Sequence, residues 1–318
     1  MIRTRHSLIA FSIAMACLAM ACLAWVPPAL ARTLHVGPTR TLKLPSQAAT
    51  AARPGDTIRI DPGTYVDCAV WRAPGLTILG PGRPVVITGP GCLGQALFVI
   101  YGNNVTIQGL TFRDATVPGR NGAGIKMLGD NLTVRHSAFL HNENGILTGG
   151  SPASVLRVSD SRFIGNGACI IACAHGIYAG APINRLEIER CVFLDTRTAH
   201  HIKSRAHTTI VRDSRIEDGP SGTASYLIET PNGGDLLVEH TVLEKGPNSE
   251  NRGTAISIGT EAVTNPTHWL LIRDNQFRND MPVRTVFVRN AAKTPAALTA
   301  NQITGDVQPL AGPGTVSP

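Results

Sequence analysis

The chain has 318 residues, of which 43% are hydrophobic, 16% charged and 5% aromatic, and its formal net charge is +7. So little charge beside so much apolar material excludes global disorder, and the length is ample for a buried core. The 32 glycines and 22 prolines exclude a coiled coil or helical bundle, because both residues interrupt long helices.

The first segment reads as an address rather than as fold. Arg3 and Arg5 precede an apolar stretch from Ser7 to Trp25, and Ala29-Leu30-Ala31 supplies a small-residue cleavage site before Arg32. Residues 1–31 are therefore expected to be a signal peptide, and the mature chain to be secreted or periplasmic. Cleavage leaves 27 basic and 22 acidic side chains, a balance of +5. No later stretch is long and apolar enough to span a membrane. A basic exported protein suits an acidic polysaccharide better than nucleic acid, and a monomer is expected.

Five cysteines remain after cleavage: Cys68, Cys92, Cys169, Cys173 and Cys191. Export permits disulfides. Cys68 can pair with Cys92, and two of the other three can form a second bridge, which leaves one thiol over. Neither paired CxxC motifs nor histidine spacing points to zinc. Asp130, Asp213, Asp218 and Asp235 are scattered over turns rather than gathered as calcium ligands. No metal or other cofactor is expected.

Residues 44–54 predict a short Ala-rich helix started by Ser46 and stopped before Pro54, placed to cover the N-terminal opening of a stack of coils. GDTIRIDPGTY (55–65) then begins the first coil. From Val105 onward a block recurs: apolar, any, apolar, two more, a small or amide residue, any, then an apolar residue. Its last residues are Phe112, Phe139, Phe163, Phe193, Ile216, Leu243, Phe277 and Ile303, separated by 23 to 34 residues. A constant block at variable spacing means a fixed rung joined by loops of different length. Two residues before the final apolar one stand Ser137, Ser161, Cys191, Ser214, Thr241, Asn275 and Asn301, which can hydrogen-bond along a stack. Leucine-rich repeats need a consensus that is missing here, and propeller blades need longer repeats. The fold class that fits is all-β: a single-stranded right-handed parallel β-helix (solenoid) with a short N-terminal capping helix. The domain is expected over 32–310, with residues 311–318 as a loose tail.

RPGDTIRIDPGTY (53–65), NGAGIK (121–126), NENGILTG (142–149), AHGIYAG (174–180), HIKSRA (201–206) and SYLIETPNGG (225–234) resemble a bacterial family of secreted right-handed β-helix repeat proteins in the pectate-lyase-like superfamily. The resemblance covers nearly all of the mature chain. It implies work on polysaccharides, often uronate-containing ones, by lyase or epimerase chemistry, and it fixes fold better than chemistry.

A second strand recurs upstream of the block: GIKM (124–127), GILT (145–148), GIYA (176–179), HIKS (201–204), YLIE (226–229) and AISI (255–258). With Ile125, Ile146, Ile177, Ile202 and Ile228 inward, alternation turns Lys126, Leu147, Tyr178, Lys203 and Glu229 outward onto one face. His201 and Arg205 are expected on that face too, with His175 on the preceding coil and Glu143 one coil further back. β-Elimination from a uronate needs a cation to hold the carboxylate and a base to remove the proton beside it. Arg205 suits the first role. Lys203 or His201 could be the base if a neighbouring cation lowers its pKa, and Tyr178 or His175 could protonate the leaving oxygen. Glu229, Lys126 and Glu143 are expected to bind substrate. The same basic face would also serve a non-catalytic glycan-binding or cell-surface β-helix. Two carboxylates spaced for inverting hydrolysis are missing from this row. The loop KGPNSENRG (245–253) could wall one end of a groove.

Overall fold

The computed structural model describes residues 31–180 and 183–318. The expected signal peptide, apart from Ala31, lies outside the described residues. The chain passes in each coil over three faces. Face one is a twelve-stranded sheet running from Thr33–Val36 to Gly314–Ser317. Face two has ten strands, from Gly63–Val66 to Gln302–Thr304, and face three has ten, from Ala69–Trp71 to Val307–Ala311. Successive coils pair in parallel, which is what a solenoid requires because each strand meets its counterpart one turn later.

Hydrophobic alternation sets the inside of each face. In Leu132–Arg135 the residues Leu132 and Val134 are buried while Arg135 is exposed. The recurring apolar position stacks in register along face two, from Phe112 through Phe139, Phe163 and Phe193 to Ile216, Leu243, Phe277 and Ile303. Phe112, Phe139, Phe163 and Phe193 form a continuous stack with centroids 5.3, 4.6 and 4.5 Å apart. Burying each such ring contributes about 1.5–3 kcal/mol.

The polar positions at the bend between faces one and two do bond along the stack. The amide of Ser137 donates to Ser161 Oγ, that of Cys191 to Ser214 Oγ, that of Thr241 to Asn275 Oδ1, and that of Asn275 to Asn301 Oδ1, at 3.0–3.2 Å. A second polar stack fills the bend between faces two and three, where the Asn142 and Asn166 side chains hold backbone groups of neighbouring coils. These bonds satisfy buried backbone at corners where no strand ladder runs.

The ends differ from expectation in three ways. The solenoid begins before the helix, since Thr33–Val36 pairs with Thr57–Ile60. The helix spans Pro45–Ala51 and starts with proline, whose missing N–H costs nothing in a first turn. Ser46 is not its cap: the Gln47 side chain accepts from the amides of Lys43 and Leu44, and the Ser46 amide donates to Asp67. Packed against Ala69–Trp71, the helix shields the first edge of face three. At the other end, the segment expected as a loose tail carries Gly314–Ser317, paired in parallel with Ala296–Thr299. Its side chains are exposed, which is why no apolar pattern announced it.

Cys68 is bonded to Cys92, and Cys169 to Cys173 across a small antiparallel hairpin. Among the described residues Cys191 is the free thiol; it is buried, and burial pushes its pKa up to about 12. It occupies a place in the corner stack and donates to the Glu189 carbonyl.

Candidate functional site

Face three places the outward row as alternation requires. Lys126, Leu147, Tyr178, Lys203, Glu229 and Ser257 are successive register partners, opposite inward Ile125, Ile146, Ile177, Ile202, Ile228 and Ile256. Lys126 and Lys203 stand three rungs apart along the row, roughly 14 Å at the usual strand spacing. A cleft of about 660 Å³ lies over this row, lined among others by Lys126, Thr148, Tyr178, Arg205, Asn232 and Asn265.

Arg205 leaves the strand His200–Ser204 and reaches back over the cleft floor. Its Nε donates to Tyr178 Oη at 3.0 Å, Nη1 donates to Asn232 Oδ1, and Nη2 donates to Glu261 at 2.6 Å. Lys203 Nζ lies 3.0 Å from Glu229 and 2.7 Å from Glu261. Burial pulls the Lys203 pKa down, but the two carboxylates more than offset it and the net direction is up. Burial likewise raises Glu229 and Glu261, and their cationic neighbours reverse the sign and lower both. Lys126 shows the opposite behaviour: burial lowers its pKa, and no carboxylate pairs with it among the described residues.

His175 is buried beside this network, edge-on to Tyr178 at 5.0 Å and tilted against His200 at 4.8 Å. Burial first, then the charges of His200, Lys203 and Arg205, hold its pKa well below the ordinary histidine value. Its Nδ1 accepts from the His200 amide at 3.2 Å, so the neutral ring carries its proton on Nε2.

Four expectations for the site need correction. His201 is not on the cleft. It is fully buried, with Nδ1 2.8 Å from Thr196 Oγ1 and Nε2 2.8 Å from Asp218 Oδ1. The reason is local. The residue before each inward isoleucine also points inward, and in the three preceding coils it is Gly124, Gly145 and Gly176. A Cβ on Gly124, Gly145 or Gly176 would come within 2.9, 2.7 or 3.3 Å of Phe139, Phe163 or Phe193. Once the stack passes to the smaller Ile216, the next corner has room for a side chain, and His201 fills it beside Phe193. His200 takes the outward place instead, with Nε2 3.0 Å from Glu229.

Glu143 is also elsewhere: its Oε2 accepts from the amides of Gly122 and Val117 at 2.6 and 3.2 Å, which braces the loop before face three. Finally, Lys203 is held as a cation by two carboxylates, the opposite of what a general base needs. The loop 245–253 does not wall the cleft. It folds onto the interior, where Ser249 donates to Asp218.

Glu261, Asn232 and His200 are site residues that the sequence reading missed. Asn232 sits in PNGGD, which reads as a turn. Glu261 lies in the extra length behind the widest interval of the repeat, from Leu243 to Phe277, and that interval was its one signal.

Residues 87–243 match the family described as "Right handed beta helix region". No curated protein matches the chain. Among solved structures, an alginate lyase from Paenibacillus sp. str. FPU-7 superposes with a TM-score of 0.62 at 18% identity, covering 89% of this chain and 99% of that one. The pectate lyase Pel9A superposes with a TM-score of 0.50 at 15% identity, covering 87% of this chain and 78% of that one. The chain is thus a right-handed parallel β-helix protein. It shares that fold with the alginate lyase and the pectate lyase just described.

Proposed function

We propose that this protein is an exported polysaccharide lyase or epimerase acting on an acidic, uronate-containing glycan, and that the cleft on face three is its active site. The observation that carries the reading is the contact of Arg205 Nε with Tyr178 Oη on the cleft floor. A guanidinium beside a phenol presents donors to a carboxylate bound next to the phenolic oxygen. The names of two solved lyases of the same fold, for alginate and pectate, support an acidic polysaccharide as the substrate class.

In this reading Arg205, with Lys126 further along the row, neutralises the uronate carboxylate as charge develops on it. Tyr178 removes the C5 proton, the electron pair forms the C4–C5 double bond, and the glycosidic C4–O4 bond breaks. The proton then passes to O4. Epimerisation would instead leave C4–O4 intact and need a second group to deliver a proton to C5 from the opposite face. Neutral His175 packs on Tyr178 and fixes the ring, without a charge of its own to bias the phenol.

The test is to incubate residues 32–318 with alginate and with polygalacturonate and to follow the ultraviolet absorbance of the new double bond. Turnover that disappears in Tyr178→Phe and Arg205→Ala supports the reading. Turnover unchanged in both variants removes the site. A non-catalytic glycan-binding role is the second reading, favoured by the saturation of Lys203 and Arg205 with carboxylates. Binding without turnover on any uronate would select it.

A further inference from the structure

We infer that Glu261 occupies the seat of a ligand anion and acts as a specificity residue: a ligand enters the cleft only by replacing this carboxylate on Lys203 and Arg205, which neutral glycans cannot do. The inference deepens the proposed function and rests on it for the identity of the natural ligand.

The geometry separates Glu261 from the other partners of these cations. Arg205 is already oriented by Tyr178 through Nε and by Asn232 through Nη1, and Lys203 is held by Glu229. Without Glu261, Arg205 keeps both of these hydrogen bonds and Lys203 keeps its 3.0 Å ion pair with Glu229, giving up its hydrogen bond to Glu261. Yet the Glu261 carboxylate bridges both, Oε1 to Lys203 Nζ at 2.7 Å and Oε2 to Arg205 Nη2 at 2.6 Å. Its side chain is 44% exposed, against 5% for Glu229. It is the one carboxylate of the network that can leave for water.

Departure requires no opening of the loop. The amides of Glu261 and Ala262 donate to the Pro231 carbonyl, those of Thr264 and Asn265 to the Asn232 carbonyl, and Asn265 Nδ2 donates to the carbonyls of Arg205 and Ala206. The backbone is fastened to the preceding coil, so exchange is a rotation of one side chain, fast on the timescale of binding. A carboxylate-bearing ligand recovers both charge-assisted bonds that Glu261 gives up. A neutral hydroxyl leaves two cations under-compensated in a partly dry cleft.

Sulfate serves as a probe that does not depend on the glycan. Sulfate and a uronate trisaccharide from alginate are titrated into the wild-type chain, Glu261→Gln and Arg205→Ala/Glu261→Gln, with thermal unfolding to verify the fold. Removing the internal competitor should tighten sulfate binding roughly tenfold, the worth of a charged hydrogen bond, and the double variant should lose the gain. The same gain for the trisaccharide confirms the inference and the uronate reading together. A sulfate gain with no trisaccharide binding by any form upholds the exchange seat and sinks the uronate reading. Unchanged or weaker sulfate binding in a folded Glu261→Gln protein overturns the inference, because it would make Glu261 a residue that positions the cations.

Discussion

His200 and His201 are neighbours in the chain and belong to two different polar networks on opposite sides of one strand. His200 joins a rim network with Glu229, Lys203, Arg205 and Glu261, in which every cation has more than one partner and one carboxylate is half in water. His201 joins an interior network with Thr196 and Asp218, and Asp218 in turn accepts from Ser249 and the Gly246 amide. Each interior member has partners with no solvent to replace them. The rim can exchange partners, and the interior cannot. That difference, more than the residue types, separates a place for ligand chemistry from a structural tie.

The largest effect expected is on the rim. Tyr178→Phe should lower turnover by roughly 10²–10⁴-fold, the usual worth of a positioned proton-transfer group, while denaturant unfolding stays close to wild type. A comparable loss in a folded Asp218 variant would abolish the distinction. Inside, Asp218→Ala strands His201 and the Ser249 hydroxyl, and should cost about 3–5 kcal/mol of stability in denaturant titrations. A cost below about 1 kcal/mol, the level of exposed pairs, would mean that the interior network is as replaceable as the rim.

Glu244 gives a pH test between the two. Burial, with Asp218 and Asp280 adding to it, raises its carboxyl to about 7 from an ordinary 4.5. The folded state therefore favours the protonated form. That contribution is full below pH 4.5 and is lost as pH rises through 7. Glu244→Gln should thus raise stability by about 1–2 kcal/mol at pH 8, screening at its edge included, and leave it unchanged near pH 4. Melting curves at the two pH values check this, and equal shifts at both would disprove the burial account. The smallest effect belongs to Lys126→Ala, which should change stability by less than about 0.5 kcal/mol and weaken binding of an acidic oligosaccharide several-fold.

Much of the architecture was legible because a solenoid writes its rung into the sequence repeatedly. Phe112, Phe139, Phe163 and Phe193 carry both the period and the register, and the inward isoleucines of face three fix which side Lys126, Tyr178, Lys203 and Glu229 present. His201 was misread because strict alternation fails at the corner of face three, where two consecutive residues face inward. Three glycines hid this by having no side chain to show it. Glu261 and Asn232 were out of reach for another reason: they come from loops, whose sequences carry no period, and they meet Arg205 only through fastening across coils. The closing strand Gly314–Ser317 was invisible because its side chains are exposed, so its pairing is a matter of backbone alone.

The parallel stacking has a consequence for how such a protein can change its length. Tyr178, Lys203, Glu229 and Glu261 come from four consecutive turns, so a turn inserted among them would pull the cleft apart. Upstream of Asn121 no described residue lines the cleft, and the rungs hold one another, the capping helix and the Cys68–Cys92 bridge. There the molecule can be lengthened or shortened by whole coils, like a spring trimmed at one end, with the working section passing on unaltered.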